Sequence, residues 1–222
     1  MKSVTRAVVL LLSAACTFTA AAPSATATAA DDPSYVKLQH PQALHDPATG
    51  KVEVVEVFWY GCQHSQLLEQ PLEDWAAKHA QDVVLRRLPA VWPGESDQTV
   101  ERAHARLFFT LDRLGQVPRL QRAVFHAVRD EGRDLTTESA AADWAATQGV
   151  DRQGFTAAYE SDQVKQEVAA APDDFKRYEI TELPSAVVQG RFLTYPTRTN
   201  GVQGMPQVMD RLVDQARSGA RS

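Results

Sequence analysis

A single cysteine stands where a strand is predicted to end and a helix to begin. Cys62 follows the apolar, β-branched run "VEVVEVFWY" (residues 52–60) and precedes the amphipathic stretch "QLLEQPLEDWAAKH" (residues 66–79). A thiol at a helix N-terminus faces free backbone N–H groups and the positive end of the helix dipole, which favour the nucleophilic thiolate. We therefore expect Cys62 to be a reactive nucleophile; a buried, inert thiol is the alternative.

Ser65 occupies the position where a C-x-x-C motif would carry its second cysteine. Two cysteines at that spacing can close an internal disulfide, whereas a serine hydroxyl cannot supply the second sulfur. The chain has one other cysteine, Cys16, and it lies in an N-terminal segment that we expect to be removed. Any disulfide at Cys62 must then be a mixed disulfide with another molecule, and only an external thiol can resolve it.

Residues 1–29 have the features of a signal peptide. Lys2 and Arg6 precede an apolar stretch too short to span a membrane, and small residues lead to an A-x-A cleavage site at residues 27–29. We therefore predict an exported, periplasmic protein. Attachment of a lipid at Cys16 is the alternative, and it is the only route to a membrane that we consider.

Composition limits the classes of partner and cofactor. The chain has a formal net charge of −5, and removal of Lys2 and Arg6 makes it more negative, so no basic face is expected to bind nucleic acid. Five histidines lie outside the Cys62–Ser65 motif: His40, His45, His79, His104 and His126. None has a cysteine or an acidic cluster at metal-ligand spacing, so we predict no metal site and no cofactor.

The pattern of predicted elements indicates an α/β fold interrupted by helices. A short edge strand (residues 35–40), the buried strand, a helix with Pro71 inside it and a strand at 82–92 come first. A helical block then precedes a hairpin around Gln189-Gly190 and a final amphipathic helix. We predict one domain from residues 30–97 and 179–222, with residues 98–178 inserted as a helical subdomain.

Two motifs resemble those of the DsbA family of exported thiol-disulfide oxidoreductases. "EVFWYGCQHS" is similar to the family's acidic strand running into its active-site motif, and "ELPSAVVQGRF" is similar to its cis-proline loop and hairpin. The resemblance implies a thioredoxin-like fold with a helical insertion. It also implies that His64 stabilises the Cys62 thiolate, a solvated surface histidine being the alternative. In the family's arrangement, Pro184 forms a cis bond that aims the backbone of Leu183 at an extended client peptide.

Glu56 matches the family's buried acidic residue, which assists proton transfer during exchange. Burial should raise the pKa of its carboxyl unless a cation pairs with it, and Arg86 or Arg87 on the next strand could be that cation. A solvent-exposed glutamate at the edge of a strand is the alternative.

The expected function is thiol-disulfide exchange by a monothiol enzyme. Cys62 would form mixed disulfides with exported client proteins that contain cysteines, or with small thiols, and an external thiol would resolve them. Two other functions stay open: a non-catalytic client-binding or chaperone-like protein, and a protein that tethers one dedicated partner through Cys62.

Overall fold

A mixed five-stranded sheet forms the centre of the computed structural model, which describes residues 32–219. Its strands are β1 (Val36–Lys37), β2 (Val52–Phe58), β3 (Val83–Pro89), β4 (Ser185–Val188) and β5 (Phe192–Thr194). They follow the spatial order β1-β5-β4-β2-β3, in which only the β2–β3 pair is parallel.

Strand β2 lies between two neighbours, and each of its residues is buried. This explains why its sequence is apolar at nearly every position instead of alternating. The predicted strand at residues 52–60 is therefore confirmed as far as Phe58. The antiparallel hairpin of β4 and β5 also forms as predicted, with Gln189 and Gly190 both at positive φ (54° and 59°), the combination that a tight type I′ turn requires.

Two strands are shorter than the sequence predicts. Strand β1 ends early because the backbone N–H groups of Gln39 and His40 donate to the Glu179 carboxylate instead of to a neighbouring strand. Strand β3 ends at Pro89, and one more bond to β2 follows, from the Ala90 N–H to the Phe58 carbonyl (2.7 Å).

Seven helices surround the sheet in the described part of the chain, and five of them lie between β3 and β4. A single π-helical turn, His126–Asp130, continues directly from the third helix. The helices are α1 (Gln63–Lys78), α2 (Thr99–Arg113), α3 (Val117–Phe125), α4 (Glu138–Thr147), α5 (Arg152–Tyr159), α6 (Asp162–Arg177) and α7 (Met205–Gly219).

Two aromatic residues at the end of β2 anchor the helical insertion to the sheet. Phe58 and Tyr60 are fully buried in the core formed by the inserted helices. The ring of Tyr60 packs edge-on against Phe125 of α3 (5.0 Å between centroids), and Phe58 packs similarly against Phe108 of α2 (5.3 Å). Burial of each such ring stabilises the fold by about 2–3 kcal/mol. This packing fixes the chain immediately before Cys62.

A second core lies between the sheet and helices α1 and α7. Leu68, Leu72 and Trp75 of α1 are buried there, at the helical spacing that the sequence indicates. Pro71 lies inside α1, as predicted. Within residues 32–219, no helix combines the length and the hydrophobicity needed to cross a bilayer.

Candidate active site

Cys62 is the N-cap residue of α1, and its side chain is partly exposed. Its extended backbone (φ −91°, ψ 120°) changes the chain direction from β2 into the helix. The residue just before Cys62 is Gly61, and a Cβ atom at this position would overlap the Trp59 ring. The thiol is therefore held at the start of a 16-residue helix.

The loop before β4 faces this cysteine. The Cys62 thiol lies 3.8 Å from the carbonyl oxygen of Leu183, and the Leu183–Pro184 peptide bond is cis. Because Ser185 pairs with Val57 in the antiparallel β2–β4 register, the loop lies beside the end of β2. The structure thus brings Cys62 next to Leu183 and Pro184, although Cys62 and Leu183 are 121 residues apart in sequence.

His64 lies in the first turn of α1. Its side chain is exposed and forms no hydrogen bond or ion pair with any residue of the 32–219 range. The structure records no contact between His64 and Cys62, and a stabilising effect of His64 on the Cys62 thiolate stays a prediction.

Ser65 is fully buried, one helical turn beyond Cys62. Its hydroxyl oxygen accepts a long hydrogen bond (3.4 Å) from the backbone N–H of Trp59. The position that could have supplied a second sulfur is therefore occupied by a small, inward-facing hydroxyl group.

Glu56 is completely buried, so the alternative of an exposed strand-edge glutamate is wrong. Arg87 is its cation, with Nε donating to Glu56 Oε2 at 3.0 Å. The same guanidinium donates to Oε2 of Glu69 on α1 at 3.1 Å. Two buried carboxylates therefore share one arginine, and Oε1 of Glu56 has no hydrogen-bond partner.

Burial dominates the protonation of this cluster. It raises the pKa of Glu56 well above its usual value, the nearby Glu69 charge raises it further, and Arg87 opposes the shift only in part. Burial likewise raises the pKa of Glu69. For Arg87, burial lowers the pKa, but the Glu56 and Glu69 charges outweigh it and leave the pKa raised. Glu56 is therefore able to hold or release a proton under the active-site helix.

The cluster continues through residues that the sequence analysis did not single out as a site. Gln121 of α3 donates to Glu69 Oε1 (3.0 Å) and accepts from the Tyr60 hydroxyl (2.7 Å). The spacing of Ser65, Leu68, Glu69 and Leu72 (i, i+3, i+4, i+7) could have placed Glu69 on the buried face of α1. No local pattern marks Gln121.

The π-helical turn of the insertion contacts the cysteine-bearing loop directly. Arg129 Nη1 donates to the carbonyl oxygen of Gly61 at 2.7 Å, and Gln66 Nε2 donates to Asp130 at 2.9 Å. A positive charge therefore lies next to the residue that precedes Cys62. In the described part of the chain, no group of three His, Cys, Asp or Glu side chains is placed to hold a metal ion.

The sheet with its helical insertion, together with a helix-capping cysteine opposite a cis-proline loop, defines a thioredoxin-like protein. Residues 63–213 match the family described as DSBA-like thioredoxin domain, and the chain belongs to that family. This finding confirms the resemblance and the fold class predicted from the sequence.

Several relatives resemble the chain over most of its length. The thiol:disulfide interchange protein DsbA of Burkholderia cepacia is 36% identical over 215 residues, which cover 97% of each chain. The protein of the same name from Pseudomonas syringae pv. tomato is 36% identical over 188 residues, covering 85% of each. The crystal structure of Pseudomonas aeruginosa DsbA superimposes with a TM-score of 0.78 at 32% identity, covering 85% of this chain and 95% of that one.

Proposed function

We propose that the chain is an exported thiol:disulfide interchange protein that uses Cys62 as its single nucleophile. The relatives carry the name of this activity, and the helix-capping thiol opposite the Leu183–Pro184 loop supports it here. The observation that carries the proposal is the pairing of an accessible thiol at position 62 with a buried hydroxyl at position 65. Residues 1–29, the proposed export signal, lie outside the described residues.

In the proposed reaction, the Cys62 thiolate attacks one sulfur of a disulfide in an exported client protein or a small molecule. A new S–S bond forms to Cys62, the old S–S bond breaks, and the leaving thiolate takes up a proton. The backbone at Leu183 would align an extended client segment beside the cysteine, as a short added strand. His64, which is exposed in the first turn of α1, would stabilise the Cys62 thiolate.

Glu56 would supply or receive the proton that accompanies exchange. Its raised pKa and its unpaired Oε1 support this role, and Arg87 holds it in place. Resolution of the mixed disulfide requires a second molecule, because the Ser65 hydroxyl cannot displace a thiol. The external thiol attacks one sulfur of the mixed disulfide, and either Cys62 or the client leaves as a thiolate.

A second function is favoured by the same Ser65 hydroxyl. Without a second sulfur, the chain could bind clients next to the Leu183–Pro184 loop without turnover, as a chaperone-like member of the family.

Trapping distinguishes these two functions. The mature protein is isolated from its own compartment without reductant, with free thiols blocked, and the group bonded to Cys62 is identified by mass spectrometry. We expect mixed disulfides with exported, cysteine-containing proteins or small thiols, and none in a Cys62→Ala control. A wild-type thiol that is always free would contradict exchange and favour the chaperone-like function.

A further inference from the structure

A groove between α1 and α3 opens beside the active-site cysteine. Its volume is about 550 Å³, and it is lined by Gln63, Gln66 and Gln70 of α1 and by Arg122 of α3, among others. Gln66 and Gln70 lie four and eight residues beyond Cys62, so the groove extends about 6–12 Å along the helix from the cysteine. An extended tripeptide is about 10 Å long.

Arg122 is the charged group of this groove that is left without a partner. Its exposed guanidinium has no hydrogen bond and no ion pair within the range 32–219. Of the two acidic side chains that line the groove, Glu69 is buried and paired with Arg87, whereas Asp130 is exposed and keeps its negative charge beside His126 and Gln66.

A second positive charge lies at the end of the groove nearest the cysteine. Arg129 donates to the neutral Gly61 carbonyl, so its positive charge is left to offset that of the neighbouring Asp130 carboxylate. An unpaired arginine, a row of glutamine amides and a neighbouring cation match a ligand that carries carboxylates and peptide amides.

We infer that this groove binds the carboxylate-bearing end of a small, acidic, peptide-like thiol or disulfide and presents its sulfur to Cys62. The inference rests on the proposed function, because it names the class of external thiol that Cys62 exchanges with. The Cys62 thiolate attacks the bound disulfide, one half becomes bonded to Cys62, and the other half leaves as a thiolate. In the reverse direction, the bound thiol's thiolate attacks the Cys62 sulfur and regenerates the Cys62 thiolate.

The test compares three symmetrical disulfides of different charge: oxidised glutathione (anionic), hydroxyethyl disulfide (neutral) and cystamine (cationic). The rate at which intact Cys62 protein gains each half-disulfide is followed by mass spectrometry. We expect Arg122→Gln to slow the reaction with oxidised glutathione about three- to fivefold, the size expected for an exposed charge pair. The neutral reagent should react at an unchanged rate, and Arg122→Lys should retain most of the wild-type preference.

Lys78→Gln is the matched control, because it removes one exposed positive charge from the far end of α1. It should leave all three rates unchanged, and the Arg122 effect should shrink at high salt. Equal rates for Arg122→Gln and wild type with oxidised glutathione would contradict ligand binding by the groove and would leave the proposed exchange at Cys62 unaffected. A wild-type protein that reacts with none of the three reagents would contradict both the groove and the proposed function.

Discussion

At the scale of single residues, the difference between an oxygen and a sulfur atom at position 65 decides which exchange reactions the site can perform. Cys62, Leu183 and Pro184 lie together as a nucleophile facing a peptide-binding loop would require. Ser65 keeps the buried position one turn further on without offering a sulfur. In the proposed function, Cys62 is therefore the nucleophile, and no second cysteine at position 65 is available to store a disulfide.

The sequence predicts the positions of these residues because each follows from a local rule. The apolar run at residues 52–60 ends just before the amphipathic run at residues 66–79, which places Cys62 at the start of a helix. Pro184, just before the second apolar run, marks the loop that faces the cysteine. The choice of Arg87 over Arg86 depends on the β2–β3 register and on which face of the sheet each side chain occupies. Gln121 joins the cluster through a contact 52 residues from Glu69, so nothing local could reveal it.

Replacement of Glu56 by Gln tests the protonation of the buried cluster. Because burial raises the folded pKa of Glu56 above its reference value of 4.5, its contribution to stability is present at low pH and is lost as the pH rises through the folded pKa. The glutamine stays neutral and its carbonyl can accept from Arg87. We expect Glu56→Gln to be more stable than wild type at pH 8 by about 1–3 kcal/mol, measured by urea unfolding, and to lose this advantage near pH 4.

Glu73→Gln serves as the control, because Glu73 is partly exposed and lies 4.0 Å from the same arginine. Its effect should stay within about 0.5 kcal/mol. If Glu56→Gln destabilised the protein strongly at pH 8, Glu56 would be an ionised partner of Arg87 and not a proton carrier.

At the scale of elements, the end of β2 is held between the insertion and the sheet. Phe58 and Tyr60 enter the helical core, and Arg129 of the π-helical turn reaches back to Gly61. The sequence predicts the helices themselves from their periodicity and from breakers such as Gly115, which has a positive φ of 66°. It does not predict the π-helical turn or the early ends of β1 and β3, because these depend on contacts with distant residues.

His104 of α2 lies at this junction and makes its stability depend on pH. Its ring is buried beside Trp59 and Tyr60 (6.2 and 6.0 Å between centroids), and burial lowers its pKa from 6.5 to about 4 although the Asp134 charge opposes the shift. The unfolded imidazole therefore binds a proton near pH 6.5 and the folded one only near pH 4. Stability should fall over this window by as much as about 3 kcal/mol.

His104→Gln removes this titration. Urea unfolding at intervals between pH 7 and pH 4 should show the wild-type protein losing stability faster than the variant as the pH falls. The comparison uses the difference between the two curves, so the carboxyl groups common to both proteins cancel. Parallel curves over the whole window would show that His104 is not held neutral by the fold.

At the scale of the whole molecule, the chain is a thioredoxin-like protein, and we propose that it needs other molecules to complete thiol-disulfide exchange. Cys62 is the one free cysteine in the described chain, so residues 32–219 hold no internal disulfide. Its client is expected to meet the Leu183–Pro184 loop, and its small-molecule partner the groove beside α1. In the proposed function, these partners supply the second sulfur of each mixed disulfide with Cys62.

The central claim is that Ser65 alone prevents this site from storing and donating a disulfide. Ser65→Cys places a second thiol at i+3 from Cys62, on the same face of the first helical turn, where an internal disulfide should close. The Leu183–Pro184 loop and the start of α1, which disulfide transfer by the Ser65→Cys variant would also need, are already present in the wild-type structure.

The decisive measurement is the oxidation of a reduced two-cysteine peptide in a single turnover, with all small thiols and disulfides removed and Cys62→Ala as the blank. We expect wild-type protein to form no peptide disulfide and pre-oxidised Ser65→Cys protein to form an equimolar amount. A Ser65→Cys protein that forms its internal disulfide but transfers nothing would favour the chaperone-like function. Wild-type protein that oxidises the peptide catalytically, with no small thiol or partner present, would contradict the account.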